Sequence, residues 1–178
     1  MPTPCRLIHK TGERVTIHLR CPQGHFFRIA GTETDWTAGL VGYKAAHPVL
    51  ICSDCGEAQK VEAMGRNAVY DTSDGDPHPG DMYWMPDHRN AQGVVECHYW
   101  DNCEGEHLHV VLPNGHHWDV DSRASNCTRK EDRAHRCWIR SGEPPRVTAG
   151  KSGNTCSAGA GSILSGNYHG FLRDGMLT

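Results

Sequence analysis

Cysteine and histidine crowd two parts of this chain. The polar, basic run DSRASNCTRKEDRAHRCWIR (121–140) holds Cys127, His135 and Cys137, and Cys156 follows after PPRVTAGKSGNT. Thiol beside imidazole serves several chemistries: metal ligation, a nucleophile with its base, half of a disulfide framework, or ordinary core packing. Upstream, RCPQGHF and ICSDCGE share one build. Each reads as a strand, a tight turn with ligand-type residues at its ends, a Gly and another strand. Cys21 and His25 close the first turn, and Cys52 and Cys55 close the second. Thiolate and imidazole satisfy a tetrahedral zinc ion, and four protein ligands leave no position for water. Cys21, His25, Cys52 and Cys55 are therefore expected to hold one zinc as a fold staple, not as a reaction centre.

The paired turns resemble the knuckles of a zinc ribbon. Cys-Pro at the entrance of the first and Cys-Gly at the exit of the second are usual in such ribbons. The three-residue spacing to a His departs from the common Cys-x2-Cys form and makes His18 the reserve ligand. A structural zinc supplies on the order of 10–16 kcal/mol of apparent binding free energy, ample for a ribbon that could not fold alone. Residues 1–66 carry eight Lys/Arg against six Asp/Glu. That weakly basic balance ranks a protein contact above a nucleic-acid contact.

The downstream set has a looser pattern. His135 and Cys137 are two apart on an expected strand, so both side chains would share a face. With Cys127 and Cys156 they would make a second closed, structural Cys3His zinc site. Cys103, His107, His109 and His169 are substitutes, and Cys97 with Cys103 could form a small redox pair. Two enzyme readings compete. Cys156 precedes SAGAGS, whose amides could line an oxyanion hole, with His169 as base and Asn167 or Asp174 orienting it. Alternatively, His107 and His109 share a strand face and, with Asp119 or Asp121, could hold a catalytic zinc that keeps a water.

Short strands must position these residues. RVTIHLR alternates, with Val15, Ile17 and Leu19 on one face; HFFRIAG, HPVLIC and EAQKVEAM follow. HLHVVLPNGHHWDVD is the clearest hairpin, turning at Pro113-Asn114-Gly115. HRCWIR reads as another strand, and the tail AGAGSILSGNYHGFLRDGMLT is too Gly-rich for a long helix. No amphipathic helix stands out. The expected fold is mainly β with long loops. It comprises a zinc-ribbon-like domain over 1–66, an acidic Pro/Gly-rich connection over 67–93 pinned by Tyr83, Trp84 and Met85, and a small zinc-stapled β domain rich in Cys and His over 94–178.

Composition agrees. Of 178 residues, 37% are hydrophobic and thirty are Gly or Pro, which suits a loop-rich chain that needs staples. Mean hydropathy is −0.60, and no apolar run reaches the ~18 residues of a membrane span. Net charge is −3, so no global field draws the protein to nucleic acid or anionic lipid. Charge is uneven: 67–93 carry five Asp and one Arg, and 123–140 carry five Arg and one Lys against Glu131 and Asp132. MPTPCRLIHK has no apolar core of a signal peptide, and nine Cys is an odd count; a reducing compartment with metal sites is the expectation.

PGDMYWMP, DSRASNCTRKEDRAHRCWIRSGEPP and TCSAGAGSILSGNYHGFLRDG resemble a group of tailed-phage proteins of unassigned function, over about residues 79–178. That group is sometimes called ammonia monooxygenase, a membrane-embedded copper enzyme; a chain without a membrane span does not suit the name. The resemblance implies a phage origin and brings no catalytic residues. The expected role is binding, as a minor virion component on a head or tail, with phage structural proteins or a host protein as partner. An early factor in the host cytoplasm that binds a host protein or nucleic acid is the alternative, and a zinc- or cysteine-dependent hydrolase is the enzyme alternative. Tyr83, Trp84, Tyr99, Trp100 and Trp138 are the aromatic candidates for an exposed interface.

Overall fold

The computed structural model describes residues 1–85, 107–120, 124, 126–129, 131–132, 135, 137–150, 156 and 162–178. The fold is mainly β. The chain divides into two units, Thr11–Tyr70 and a discontinuous one of Met1–Lys10 with Asp71–Thr178. These bounds differ from those read off the sequence, because strand pairing is non-local. β1 (Thr3–Pro4) pairs antiparallel with Met176–Leu177. β2 (Arg6–Leu7) runs parallel to Asp81–Met85, inside the segment read as a connection. The discontinuous unit closes on itself at His9 and Asp71. The Asp71 amide donates to the His9 carbonyl at 3.0 Å, and the His9 amide donates to Asp71 Oδ1 at 2.8 Å.

The Thr11–Tyr70 unit is built on β3 (Lys10–Arg20), β4 (Phe26–Ala30), α1 (Glu33–Ala46), β5 (Leu50–Ile51) and β6 (Ala58–Tyr70). Its sheet order is β4-β3-β6-β5. Register pairs Ile17 with Ile29 and Leu19 with Phe27 on one face, and His18 with Arg28 and Arg20 with Phe26 on the other. The first face and Val61 of β6 pack with Tyr43 of α1 into a small core. Val15, Ile17 and Leu19 are buried as their alternation requires.

Helix α1 was not expected. Its start is a capping box: Thr32 Oγ1 accepts from the Asp35 amide at 3.1 Å, and Asp35 Oδ2 accepts from the Thr32 amide at 2.7 Å. The TETD string carried that signal. Gly39 conceals the helix behind it, since its φ of +68° kinks the backbone and breaks the 3.6-residue period.

In the discontinuous unit, β7 (Asp81–Met85), β8 (His107–Val111) and β9 (His117–Asp119) extend β2 in the order β2-β7-β8-β9. The hairpin at Pro113-Asn114-Gly115 forms as expected. Gly115 takes φ +81° and donates to the Leu112 carbonyl at 2.8 Å. Three further hairpins follow: β10 (Ile139–Ser141) with β11 (Thr148–Gly150), β12 (Ile163–Ser165) with β13 (Tyr168–Gly170), and β14 (Leu172–Arg173) with β15 (Met176–Leu177). Met82, Leu108, Val110, Leu112, Val120, Trp138, Val147, Ile163, Leu172 and Leu177 form one core with Cys127 and Cys137.

Two local expectations fail here. Cys137 lies in a bend, and the strand begins only at Ile139, so alternation does not bring His135 and Cys137 together. Of the aromatic interface candidates, Tyr83 and Trp138 are buried and Trp84 is half-buried against the core, while Tyr99 and Trp100 lie outside the described residues. The buried position of β7 between β2 and β8 consumes Tyr83. Among the described residues, no helix is long and apolar enough to cross a membrane.

Candidate metal centres

Two quartets of side chains converge, one in each unit. Cys21, His25, Cys52 and Cys55 form the first, and Cys127, His135, Cys137 and Cys156 the second. Within each quartet the potential ligand atoms all lie within 4.8 Å of one another. Among the described residues, these are the only groups of three or more Cys, His, Asp or Glu that converge in this way.

The separations identify the arrangement. In the first quartet, Cys52 Sγ lies 3.6 Å from His25 Nδ1, and Cys55 Sγ lies 3.6 Å from Cys21 Sγ. In the second, Cys137 Sγ lies 3.6 Å from His135 Nε2 and 3.5 Å from Cys156 Sγ. A disulfide would bring sulfurs to about 2.05 Å. A tetrahedral ion with metal–sulfur bonds of about 2.3 Å sets its ligands about 3.8 Å apart along each edge. The quartets have the second spacing, and all seven described Cys are free thiols.

The first centre is shaped by two knuckles. Gly24, at φ +86°, donates to the Cys21 carbonyl at 2.9 Å, and Gly56, at φ +74°, donates to the Cys52 carbonyl at 2.9 Å. Only a residue tolerant of positive φ turns the chain so tightly that both ends of each knuckle face one point. Backbone amides then aim at the sulfurs. Burial opposes ionisation of Cys21, but the amides of His25 and Gln23 and the neighbouring thiols outweigh it, and its pKa is lowered. Cys52 follows the same pattern, with burial outweighed by the amides of Asp54 and Cys55 and by His25. Cys55 goes the other way. The Glu57 amide favours its thiolate, yet burial and the adjacent Cys52 and Cys21 sulfurs together push it up to about 11.

The second centre sits in the core of its unit. Cys127, His135 and Cys137 are buried. The Arg129 amide donates to Cys127 Sγ at 3.4 Å, a knuckle-type contact. Burial pushes Cys137 up to about 12, helped by the Cys127 and Cys156 thiols and opposed by the Ala124 amide. In both quartets, sulfurs this close resist carrying charge together. A divalent cation reverses that balance, because each thiolate then faces a positive neighbour. The donor sets, three sulfurs and one imidazole nitrogen, therefore fit a closed metal site in chemistry as well as in spacing.

Other sequence candidates have other partners. His18, the reserve ligand, packs edge-on against Phe26 at 5.6 Å between ring centroids. His107 Nδ1 lies 3.7 Å from Asp119 Oδ2, and His109 stacks on Tyr83 at 5.6 Å. His169 Nε2 pairs with Ser162 Oγ at 2.9 Å, while Cys156 belongs to the second quartet. Cys97, Cys103, Asp121 and most of SAGAGS lie outside the described residues. What sequence reasoning missed were the amides directed at sulfur. A residue string names ligands, but which N–H faces them depends on the turn. Comparison with protein-family models, with curated proteins and with solved structures finds no match to this chain.

Proposed function

We propose that each quartet holds one zinc ion as a structural staple and that the protein acts by binding, as a minor component of a phage particle. The observation that carries this reading is the closure of both centres: four protein ligands converge at each. A closed site stabilises the loops around it and has no open position at which to activate water. Zinc suits three thiolates and an imidazole in tetrahedral array, where harder ions prefer oxygen. The likeness of residues 79–178 to tailed-phage proteins supports the particle. The net charge of −3 supports a protein partner ahead of a nucleic-acid one for that role.

Elemental analysis of the purified protein should give two zinc ions per chain. Mass spectrometry of purified particles should then find the protein among the minor virion components. Absence from the particle, with abundance early in infected cells, would overturn the virion role and leave a host-directed factor.

A further inference from the structure

The strands that leave the first knuckle carry an exposed aromatic ring between two guanidinium groups. Arg20 ends β3 immediately before Cys21, Phe26 begins β4 immediately after His25, and the two face each other in register. Arg28 lies two residues along β4 on the same face, opposite His18. Phe26 as a residue is 42% exposed. Arg20 and Arg28 hold their guanidinium carbons 5.5 and 5.8 Å from its centroid, and the His18 ring braces it edge-on. A large apolar ring at the surface costs hydration free energy that packing against Ile17 or Leu19 would have avoided, and β4 places it on the opposite face.

The charges on this face are unequal. Arg20 Nε is bound to Glu62 Oε1 at 2.7 Å. Arg28 is exposed and, among the described residues, makes no ion pair; its neighbour is the Phe26 ring. The face thus offers one planar stacking surface, one free cation and a second cation held by a single carboxylate. A planar, anionic, repeating ligand complements all three.

We infer that this sheet face, Phe26 with Arg20 and Arg28, is a contact site for single-stranded nucleic acid. An unpaired base stacks on Phe26, and phosphates on either side meet Arg28 and Arg20. Stacking tolerates any base, so the contact is independent of sequence. An acidic peptide would use the cations but leave the ring without a planar partner. The metal-binding knuckle fixes the geometry, because its ends, Cys21 and His25, adjoin Arg20 and Phe26 in the chain. This site goes beyond the particle role proposed above and stands or falls separately from it.

The test is fluorescence anisotropy on the zinc-loaded full chain, with labelled oligothymidine and oligouridine of about twelve nucleotides and a duplex of equal length as probes. Binding to either single strand at low salt, weaker to the duplex, is expected. The DNA and RNA arms tell which source of the shared chemistry is preferred. With two phosphate contacts, log affinity should fall against log salt with a slope of about −1.4. Phe26→Ala should weaken binding about five- to 150-fold, Phe26→Trp should retain it, and Arg28→Ala should flatten the salt slope. Zinc content unchanged in each variant separates these effects from misfolding. No binding by the native chain, or binding indifferent to Phe26→Ala and Arg28→Ala, would overturn the proposal.

Discussion

Replacing Cys52 with Ser probes how much of the Thr11–Tyr70 unit the first centre holds up. Cys52 Sγ faces His25 Nδ1 at 3.6 Å and takes the amides of Asp54 and Cys55. A serine oxygen is a harder donor on a shorter bond, so it reaches the same point poorly and binds zinc weakly there. Six large apolar or aromatic side chains of this unit are buried: Ile17, Leu19, Tyr43 and Val61 in one cluster, with Val15 and Tyr70 besides. At about 1.5–3 kcal/mol each they contribute roughly 9–18 kcal/mol before any entropy is charged. A structural zinc contributes on the order of 10–16 kcal/mol. Losing the ion therefore removes a contribution comparable to that of the buried side chains, far more than the few kcal/mol of net stability a small unit keeps, and the unit should unfold. The other unit has its own quartet and a larger core, and should remain folded. Elemental analysis should show zinc falling from two ions per chain to one. Limited proteolysis should show new cuts confined to residues 11–70. Cys137→Ser should give the converse, with cuts in the second unit. Retention of both ions in the Cys52→Ser protein, or unchanged protease resistance of residues 11–70, would refute the reasoning.

Further outcomes can be checked on the same material. Iodoacetamide should leave Cys156 unlabelled in the metal-loaded protein and label it after chelation, because a ligating thiolate is masked; rapid labelling of the loaded protein would favour a nucleophile instead. Zinc uptake should release protons, since Cys137 and Cys55 are pushed up to about 12 and about 11 without the ion and are protonated at neutral pH. Affinity should therefore fall as pH falls, which calorimetry in two buffers of different ionisation enthalpy would read. Thr32→Ala removes the α1 cap and should cost about 0.5–2 kcal/mol in denaturant melts. Gly175→Ala should destabilise the discontinuous unit by more than ~1 kcal/mol, because Gly175 has φ +71° and a Cβ there would collide with the Pro145 carbonyl oxygen.

Residue chemistry was legible where local spacing sets geometry. Two knuckles with ligand types at their ends name one quartet directly, since a turn of three or four residues fixes where its ends point. Strand alternation named Val15, Ile17 and Leu19, and Pro113-Asn114-Gly115 named the hairpin, for the same reason: each pattern is local. Helix α1 was hidden because Gly39 interrupts the period on which recognition depends, although its capping box stood in plain view at Thr32 and Asp35.

By itself the sequence determined a mainly β, loop-rich chain with two sets of thiols and imidazoles, because composition, alternation and turn residues act over a few positions. Only the tertiary structure decided that residues 1–10 belong with Asp71–Thr178, since β1 and β2 find their partners at Met176–Leu177 and Asp81–Met85, far along the chain. It decided too that His135 meets Cys137 and Cys156 through a bend and not a strand. It also moved the exposed aromatic surface from Tyr83 and Trp138, which the core consumes, to Phe26 between two arginines. Burial is set by which faces pack against each other, and that pairing is a property of distant segments that no local pattern encodes.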